Sequence, residues 1–547
     1  MGRVRSAVVR ANKRLPIQLA ATLLAGSSLL SLLLGFFRDR LLNSAYLPNE
    51  AAGTVGYPAG IDAYTAAFTV PDFMFFILVS GALSVTFIPV FNQRLATGNK
   101  ESAWRLSTSL LNFMALITLV TIVLIIIFAE PLIRYIIAPG FSESATALAI
   151  SMTRVIAVNP FLFAIATVIA SVQQAVGRFT FFALAPVLYN TGIIIGLTVF
   201  TGGINIFGVQ IFDGGIMGVA LGVVLGSVLQ LIVSTVGLIG LGFDYHFKIF
   251  WKNKGFRQVL RLLPPRSLDQ GMDYLVGVVE INLASRMAEG TVRIYNQAVT
   301  LHMAPINLIG VAISTAAFPK MTERIGQGRP DLFRSELQTI IRVIVWLAMP
   351  VAAITFFTRG YLVNFIKNGG DALMAGLLGT LVVAILFRSV YFICARSFYA
   401  QQDTKTPLYI SLFAIALNIT LAVWFTTSLD MGAYGLGFAQ SIVSVVEVLI
   451  LFTVMNRRIK GLVNGTLLHA IGRMVVATLV MSVVCYIMVQ LFQLQSDDNS
   501  FLATFPKFTL IASMSAAVYL LLSRMLHLKE ADPIIHRLEQ LLFARAR

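Results

Sequence analysis

The sequence predicts an all-α polytopic membrane protein with about 14 transmembrane helices. We expect two six-helix lobes, related by a pseudo-two-fold axis along the membrane normal, plus two C-terminal helices. Three observations support this fold class: an apolar composition, an asymmetric distribution of positive charge and an internal repeat. Of the 547 residues, 57% are hydrophobic and 12% are charged, whereas about a quarter of the residues of a soluble protein are charged. A bilayer solvates this much apolar surface without a protein core.

Apolar runs long enough to cross a membrane follow one another along the whole chain. A helix needs about 20 apolar residues to cross the hydrocarbon layer. The first run follows five positive charges but is too long for a signal peptide, so we interpret it as an uncleaved first span. The predicted spans are residues 15–37, 63–90, 105–128, 147–173, 179–200, 216–241, 271–289, 295–318, 338–358, 372–395, 407–426, 432–455, 468–492 and 503–524.

Lysine and arginine are concentrated in alternate loops, which is how orientation in a membrane is set. With the N-terminus inside, the stretches assigned to the cytoplasm hold 29 of these residues and the outer stretches hold 7. If one span were missed or added, every later loop would be assigned to the wrong side of the membrane. The even number of spans and the cytoplasmic location of both termini are therefore predicted together.

The span layout also predicts the domain organisation. Residues 248–263 and 527–547 alternate basic and apolar positions with helical spacing, and each is either a helix on an anionic leaflet or a solvated loop helix. The predicted segments are a cytoplasmic basic N-terminus (1–14), an N-lobe (15–241), a cytoplasmic amphipathic linker (242–270), a C-lobe (271–455), the last two spans (456–525) and a cytoplasmic C-terminal amphipathic segment (526–547).

Two short sequence matches indicate an internal repeat. The end of the second span matches the end of the eighth at an offset of 230, and Gln173-Gln174 matches Gln401-Gln402 at an offset of 228. Six spans separate the copies, so both halves have the same orientation, as in transporters that open alternately to the two sides. The first match pairs Ala82 with Ala312, Ser84 with Ser314, Pro89 with Pro319, Arg94 with Arg324 and Gly98 with Gly328.

Composition and motifs exclude several classes of function. The net charge of +16 resides in the loops, and no basic stripe interleaves with aromatic residues, so we expect no nucleic-acid partner. Cys394 and Cys485 lie inside apolar runs and lack the spacing of metal ligands. Because no nucleotide-binding, hydrolase or kinase motif is present, we expect neither enzyme activity nor a bound cofactor.

The seventh span is the least hydrophobic and contains several polar residues, among them Asp273 and, at its centre, Glu280. Ionisable groups at membrane depth are costly, and their default interpretation is functional. Asn282, Arg286 and Glu289 share one helix face. This face either lines a cavity or forms a structural pair with a neighbouring helix.

Other charged residues lie near the ends of spans. Arg38 and Asp39 end the first span, Asp62 and Asp72 flank the start of the second, and Arg388 lies about two turns deep in the tenth. A guanidinium group holds phosphate oxygens with a planar fork. Arg38 and Arg388 are therefore candidates for binding an anionic substrate, and the alternative for Arg38 is an arginine that snorkels to the interface.

The segment FYAQQDTKTP occupies residues 398–407, where a span ends and the next begins. This segment and several weaker ones resemble those of the MurJ/MviN lipid II flippases, and the resemblance covers residues 15–525. The weaker matches are APGF at 138–141, APVLYN at 185–190, GFFRD at 35–39, DA at 62–63, and residues 295–319 with Pro305, Gly310 and Pro319.

The resemblance implies a multi-pass protein of the bacterial cytoplasmic membrane in the MOP exporter superfamily. Such a protein moves undecaprenyl-diphosphate-linked peptidoglycan precursor, lipid II, from the cytoplasmic to the outer leaflet by alternating access. The resemblance also implies that the last two helices form a groove for the lipid tail and that basic cavity residues hold the diphosphate. The candidate substrate-binding residues are Arg38, Asp39, Asp62, Asp72, Arg286, Arg293 and Arg388.

The sequence departs from this family at most of its cavity cations. The family has arginine after the serine where residues 31–32 read SL, and an arginine pair where residues 75–76 read FF. Its Ala-Glu-Gly corresponds to VSG at 79–81, and its arginine and glutamate of the eighth span correspond to Thr300 and Met303. Three alternatives follow: the substrate differs, the chain does not transport, or other cations substitute, namely Arg286, Arg293 and Arg388.

The resemblance bears on energy coupling and partners as well. In some members the position of Glu280 contributes to a cation site with an asparagine of the eleventh span, here Asn418. This implies either a coupling Na⁺ or H⁺ or use of the membrane potential. We expect a monomer whose partners are membrane lipid and a lipid-linked glycan precursor. The alternatives to a lipid II flippase are a superfamily exporter of another lipid-linked or amphipathic substrate and a non-transporting partner of cell-wall synthesis or division proteins.

Overall fold

The computed structural model describes residues 12, 17–45, 58–79, 82–206, 209–495 and 497–533, and the structural statements below concern these residues. Apart from Asn12, the predicted N-terminal segment 1–14 lies outside them, as does the predicted C-terminal segment from residue 534 onward. The chain forms two compact units that divide between Arg293 and Ile294. This division differs from the predicted lobes: residues 242–293 belong to the first unit, and the last two spans belong to the second.

The first unit is mainly helical, and side chains that accept a backbone N–H begin some of its helices. Asn99, Ser142 and Asn253 cap helices in this way, which satisfies amides that have no partner within the helix. The helices are α1 (Ile17–Ala45), α2 (Ala59–Ala67), α3 (Thr69–Leu78), α4 (Ala82–Ala96), α5 (Lys100–Pro131), α6 (Glu143–Ile156), α7 (Asn159–Ala175), α8 (Thr180–Thr198), α9 (Met217–Val236) and α10 (Lys254–Ser285).

The second unit begins within α11, which starts at Thr291. Asp371, Asn464 and Ser500 cap helices here. Its largest apolar cluster includes Phe333 and Phe398, both fully buried. The helices are α11 (Thr291–Ile306), α12 (Ala312–Gly326), α13 (Pro330–Ile366), α14 (Ala372–Ala400), α15 (Lys405–Val423), α16 (Ala433–Arg458), α17 (Gly465–Leu491) and α18 (Phe501–Met525).

Membrane-spanning helices dominate the described chain. Thirteen stretches of helix are long and apolar enough to cross a membrane, and they correspond to thirteen of the predicted spans. The seventh predicted span, 271–289, does not meet that standard, and its apolar part is the shorter stretch Tyr274–Ser285. The fold class is confirmed, and a count of about fourteen spans is consistent with this arrangement.

The second predicted span, 63–90, is not one straight helix. It divides into α2 and α3 at Phe68, and α4 begins only at Ala82. Pro71 has no backbone N–H with which to bond the carbonyl of Ala67 four residues earlier. That carbonyl lies 3.5 Å from the hydroxyl of Thr153, which donates to it. The proline therefore explains why the helix is interrupted here.

The predicted linker and the seventh span form a single helix. α10 runs from Lys254 to Ser285, so the backbone has no break at the predicted boundary of 270. Phe256 and Val259, on its amphipathic part, are fully buried in an apolar cluster with Phe87 and Phe91 of α4. The apolar face of residues 254–260 is therefore covered by protein.

The internal repeat is visible in the backbone of two turns. Amides of residues 97–99 bond to carbonyls four, three and five residues earlier, and residues 327–329 repeat this pattern. Gly98 and Gly328 both adopt left-handed φ angles, 76° and 66°. The Gln-Gln match is out of register by three residues, because the left-handed residue Gln402 corresponds in position to Gly177.

Glycines let α8 and α9 approach closely. An added Cβ at Gly222 would lie 2.5 Å from the Cα of Gly196, and one at Gly192 would lie 2.2 Å from the Cα of Gly226. These distances are too short for any side chain. α8 and α9 therefore pack closely, in the manner of small-residue contacts between membrane helices.

A short β-hairpin between α8 and α9 was not predicted. β1 (Ile204–Ile206) pairs antiparallel with β2 (Val209–Phe212). Gly203 and Gly214, on either side, have φ angles of 87° and 91°, which only glycine adopts without strain. The hairpin lies in a loop predicted to be outside the membrane, so it does not alter the span layout.

Candidate substrate-binding site

Two arginines share one carboxylate oxygen at the end of α1. The Arg38 guanidinium donates to Asp39 Oδ1 from Nη2 at 3.1 Å, and Arg293 Nη2 donates to the same oxygen at 3.2 Å. The Asp39 side chain is 11% exposed and that of Arg293 is 9% exposed. We name Arg38, Asp39 and Arg293 the arginine cluster. Two positive charges face one negative charge within it, so the cluster retains a net positive charge.

Asparagine side chains hold both arginines of this cluster. Arg38 Nη1 donates to Asn190 Oδ1 at 3.1 Å, and Arg293 Nε donates to Asn43 Oδ1 at 3.5 Å. The Asn190 amide nitrogen donates in turn to the carbonyl of Ser31 at 3.2 Å. α8 therefore fixes the guanidinium of a residue on α1. Buried guanidinium groups need such partners to offset the loss of water.

The side chain of Asp62 caps the start of α11 and is not part of the arginine cluster. Its two oxygens accept the backbone N–H groups of Gly290, at 2.5 Å, and Arg293, at 2.8 Å. These amides belong to the first turn of α11 and have no partner within that helix. A carboxylate is also favoured by the positive end of the helix dipole. These two hydrogen bonds explain why a carboxylate is buried at position 62, and no bound ligand is needed to account for it.

Asp72 lies on α3, which makes an aromatic contact with α10. None of the described residues gives its carboxylate a hydrogen bond or an ion pair, and its nearby charge acts on the hydroxyls of Tyr64, Tyr189 and Tyr274. The ring of Phe76 stacks on that of Tyr274 with centroids 4.3 Å apart. Aromatic faces and a carboxylate together form the type of environment that binds organic cations.

Three positions at which the resembled family carries charged residues hold apolar or hydroxyl side chains here. Phe75 packs edge-on against Phe163, with ring centroids 5.5 Å apart. Met303 packs against the buried cluster of Ile306 and Ile385. The hydroxyl of Thr300 donates to a carbonyl of its own helix. None of these three side chains is charged, so these departures from the family are real differences in side-chain chemistry.

The second unit contains a separate buried charge. Arg388 Nη1 lies 3.3 Å from Glu447 Oε2, and Ser411 donates to Glu447 Oε1 at 3.1 Å. The guanidinium also lies over the ring of Tyr391, 5.5 Å from its centroid. The Glu447 side chain is 2% exposed and that of Arg388 is 38% exposed. Arg388 is therefore paired to a carboxylate on α16, and it retains an accessible surface.

Arg286 ends α10 and is exposed. Its Nε donates to Asn282 Oδ1 at 3.2 Å, as the predicted shared face requires, and Asn282 donates to the carbonyl of Ile136 at 2.6 Å. The backbone approaches closely here, because an added Cβ at Gly140 would lie 2.3 Å from the carbonyl oxygen of Ser285. Among its described contacts, Arg286 has none with the arginine cluster.

The predicted cation pair lies on different units. Glu280 is 5% exposed within the first unit and Asn418 is 4% exposed within the second. The amide oxygen of Asn418 has no hydrogen-bond partner among the described residues. The described part of the chain holds no group of three or more His, Cys, Asp and Glu side chains arranged like a metal site. Cation coupling by these two residues stays a prediction.

Sequence reasoning missed several members of these networks. Asn190 lies in a segment that was noted only for its resemblance, and Asn43 was not noted. Glu447 is the only charged residue in the run from 433 to 455. A search for charges at membrane depth in every span would therefore have found it. The side chain of Asp273 lies outside the described part of the structure.

The FYAQQDTKTP segment forms a turn that is attached to the end of α16. Asp403 accepts the amides of Lys405 and Thr406, each at 3.0 Å, and it pairs with Arg458 at 2.6 Å. Partial desolvation raises the pKa of Asp403, but the Thr406 hydrogen bonds and the Arg458 guanidinium outweigh it and lower the pKa to about 2. Asp403 therefore stays ionised and caps α15.

Comparisons with known proteins point to one family. The model of the family described as "Lipid II flippase MurJ" matches residues 51–506. A "Probable lipid II flippase MurJ" of Borreliella burgdorferi is 23% identical over 438 residues, covering 79% of this chain and 82% of that protein. The protein of the same name from Bdellovibrio bacteriovorus is 26% identical over 472 residues, covering 84% of this chain and 86% of that protein.

Solved structures share the fold. A structure described as "Lipid II flippase MurJ, inward closed conformation" matches with a TM-score of 0.72 at 21% identity, covering 92% of this chain and 99% of that one. An inward-facing MATE family multidrug resistance transporter of the MOP superfamily matches with a TM-score of 0.63 at 18% identity, covering 78% of this chain and 95% of that one. Together with the match of the family model over most of the sequence, the fold and the motifs establish that this chain belongs to the MurJ family.

Proposed function

We propose that this protein is a lipid II flippase of the bacterial cytoplasmic membrane, with both termini in the cytoplasm. The arginine cluster is the observation that carries this proposal. Two guanidinium groups on one carboxylate oxygen leave a net positive charge in a buried setting, where an anion is attracted strongly. A diphosphate binds guanidinium groups in a bidentate manner. Asn190 and Asn43 support the proposal because they hold the two guanidiniums in place.

The protein acts as a transporter and not as an enzyme in this proposal. The diphosphate of lipid II pairs with Arg38 and Arg293 while the site opens alternately to the two leaflets, and Asp39 takes over both guanidiniums when the substrate leaves. Arg388, in the second unit, stays a predicted substrate-binding residue. Transport is driven by a coupling Na⁺ or H⁺ or by the membrane potential, and α17 and α18 carry the lipid tail.

Complementation tests the proposal directly. A bacterial host depleted of its own lipid II flippase is supplied with this chain, and we expect growth to be restored. Arg38→Ala and Arg293→Ala should each lower the rescue by at least about tenfold, because one charge-assisted contact to the diphosphate contributes about 1.5–3 kcal/mol. Colony counts on depletion medium measure the effect.

Arg134→Ala is the matched control, since Arg134 makes only exposed ion pairs with Glu130 and Glu143, and it should rescue normally. If the original chain reaches the membrane but does not restore growth, the proposal is wrong. A non-transporting role in cell-wall synthesis would then account for the chain.

An exporter of amphipathic cations is a second candidate, favoured by the surroundings of Asp72. Purified protein would bind tetraphenylphosphonium, and Asp72→Asn should weaken that binding by about tenfold, as expected for loss of a carboxylate in a partly desolvated site. Isothermal titration calorimetry measures the dissociation constants. Asp331→Asn, a change of an exposed carboxylate that pairs with Arg329, is the control. Absence of binding to the original protein excludes this candidate.

A further inference from the structure

A basic pocket lies where α4, α5 and α10 meet in the first unit. It has a volume of about 660 Å³ and is lined by the cations Arg94, Arg105, Lys252 and Lys254, with Glu101 as its one carboxylate. Glu101 and Arg105 form an ion pair one helical turn apart. Three positive charges are therefore left without a described counter-charge in this basic pocket, which is separate from the arginine cluster.

The walls of the basic pocket are built closely around one of its cations. Arg94 donates to the carbonyl of Val90 at 3.0 Å. An added Cβ at Gly255 would lie 2.4 Å from the Arg94 guanidinium carbon, so the guanidinium passes directly over the start of α10. Arg105 lies over the ring of Phe250, 5.2 Å from its centroid. These contacts hold the charges at the rim of an open space.

The segment 244–253 is tied along α5 and joins this pocket to a second concavity. Asn112 donates to the carbonyls of His246 and Lys248, at 2.8 and 3.1 Å, and Ser109 accepts the amide of Phe250 at 2.9 Å. Asn253 donates to the carbonyl of Ser102 at 3.1 Å. The segment therefore follows α5 from the level of residue 112 back to the level of residue 102.

The second concavity is an apolar groove of about 530 Å³. It lies between α5, α7 and the segment 244–253, and its lining includes Ala115, Leu116, Leu119 and Phe161. Phe247, which also lines it, is 94% exposed. Lys248, the next residue, is the charged side chain at its edge. An exposed phenylalanine beside a lysine is typical of the membrane interface.

We propose that the basic pocket and the apolar groove together bind an anionic phospholipid of the cytoplasmic leaflet. The headgroup phosphate pairs with the three uncompensated cations, and an acyl chain lies in the groove under Phe247. Six residues of α5 separate Arg105 from Leu111, at the start of the groove, which is about 9 Å along the helix. That distance is comparable to the depth of one headgroup layer, about 5–8 Å.

Charge and position both select this ligand. The basic pocket lies at the end of α5 that the positive-charge rule predicts to be cytoplasmic. Anionic lipids of that leaflet attract lysine and arginine at the surface. A soluble phosphate compound would use the pocket but not the groove, whereas a phospholipid uses both. The inference does not depend on the transported substrate, because neither concavity includes Arg38, Asp39 or Arg293.

Lipid binding by the full chain tests this inference. The delipidated protein in detergent is mixed with phosphatidylglycerol or phosphatidylcholine. Native mass spectrometry measures how much of each lipid the original protein and its variants retain. We expect at least a tenfold preference for phosphatidylglycerol. Lys252→Gln/Lys254→Gln should lower that preference by about tenfold or more. Arg457→Gln/Lys460→Gln removes two charges from the second unit and should leave the preference unchanged.

Ala115→Trp and a soluble competitor separate the lipid from a free phosphate compound. Tryptophan fills the groove without changing charge, so retention of phosphatidylglycerol should fall about tenfold, while millimolar glycerol 3-phosphate should not displace the lipid. Equal retention of the two lipids by the original protein overturns the inference. It is also overturned if both double charge variants lose the preference equally, or if glycerol 3-phosphate displaces the lipid while Ala115→Trp retains it.

Discussion

Asp39 shows how a single carboxylate controls two cations. The same oxygen accepts a hydrogen bond from Arg38, the preceding residue, and another from Arg293, which lies 254 residues away in the sequence. In the proposed function, a substrate diphosphate competes with Asp39 for the same guanidinium donors. We therefore expect Asp39 to set how tightly the site holds an anion, because stronger pairing with Asp39 lowers the affinity of both arginines for a ligand.

Glu447 is expected to couple energetically to Arg388. Glu447→Gln removes a carboxylate that is 2% exposed, and breaking a buried pair usually costs about 3–5 kcal/mol. We expect a smaller cost of about 1–3 kcal/mol, because Arg388 is partly exposed and solvent screens it. The apparent melting temperature of the purified protein measures the loss.

A double-mutant cycle checks that the effect belongs to the pair. Arg388→Gln/Glu447→Gln should be less destabilised than the sum of the two single variants, by about 1–2 kcal/mol. Strict additivity would show that the 3.3 Å contact contributes nothing. Ser411→Ala, which removes one hydrogen bond to Glu447, should cost about 1 kcal/mol.

The sequence predicted some of these residues better than others. Arg38 and Asp39 were identified because a charge at the end of an apolar run is visible without a structure. The capping role of Asp62 could not be predicted, because the helix that it caps begins 228 residues later in the sequence. Such a contact depends on the tertiary arrangement. Asn190 is uncharged, and an amide inside a span does not stand out by hydropathy. Arg293 was identified only as a substitute for missing cations.

At the scale of elements, the contact between α8 and α9 depends on backbone-to-backbone approach. Glycines at 192, 196, 222 and 226 face one another in this contact. Association of helices within a bilayer gains little from the hydrophobic effect and relies on close packing. The two helices thus form a rigid pair on which Asn190 holds its position towards Arg38.

Gly222→Ala is predicted to disrupt this helix pair. The new Cβ would lie 2.5 Å from the Cα of Gly196, so the helices must separate, at a cost of about 1–3 kcal/mol as for overpacking. Gly472→Ala on α17 is the control, since nothing lies within 4 Å of its Cβ position. That change should stabilise by about 0.5–1 kcal/mol through helix propensity. Melting temperatures that fall equally for both variants would contradict the packing argument.

Elements were predictable where hydropathy alone determines them. Most span positions agree with helices of the structure, because a long apolar run has few alternatives in a membrane. The interruption at Phe68 depends on Pro71 and on a hydroxyl of α6, which a hydropathy pattern does not register. The joining of the linker to α10 was missed for a similar reason: Phe256 and Val259 find a protein partner that sequence spacing does not reveal.

At the scale of the whole molecule, the distribution of lysine and arginine predicts the orientation. Both natural cysteines, Cys394 and Cys485, are buried, so the original chain should react little with an impermeant maleimide. Asn205→Cys, in the hairpin loop, should be labelled in intact spheroplasts. Thr97→Cys should be labelled only after the membrane is permeabilised, because its loop is predicted to be cytoplasmic. Labelling of Thr97→Cys in intact cells would reverse the predicted orientation.

The matched turns at residues 97–99 and 327–329 also bear on the origin of the chain. The same hydrogen bonds and left-handed glycine, 230 residues apart, are what tandem duplication of an ancestral gene segment leaves behind. A segment with six spans starts and ends on the same side of the membrane, so its duplicate inserts without a change of topology. Once two copies existed, each could diverge separately. Arg38 lies in the predicted N-lobe (15–241), whereas Arg293, Arg388 and Glu447 all lie in the predicted C-lobe (271–455), so the charged groups of the two copies differ.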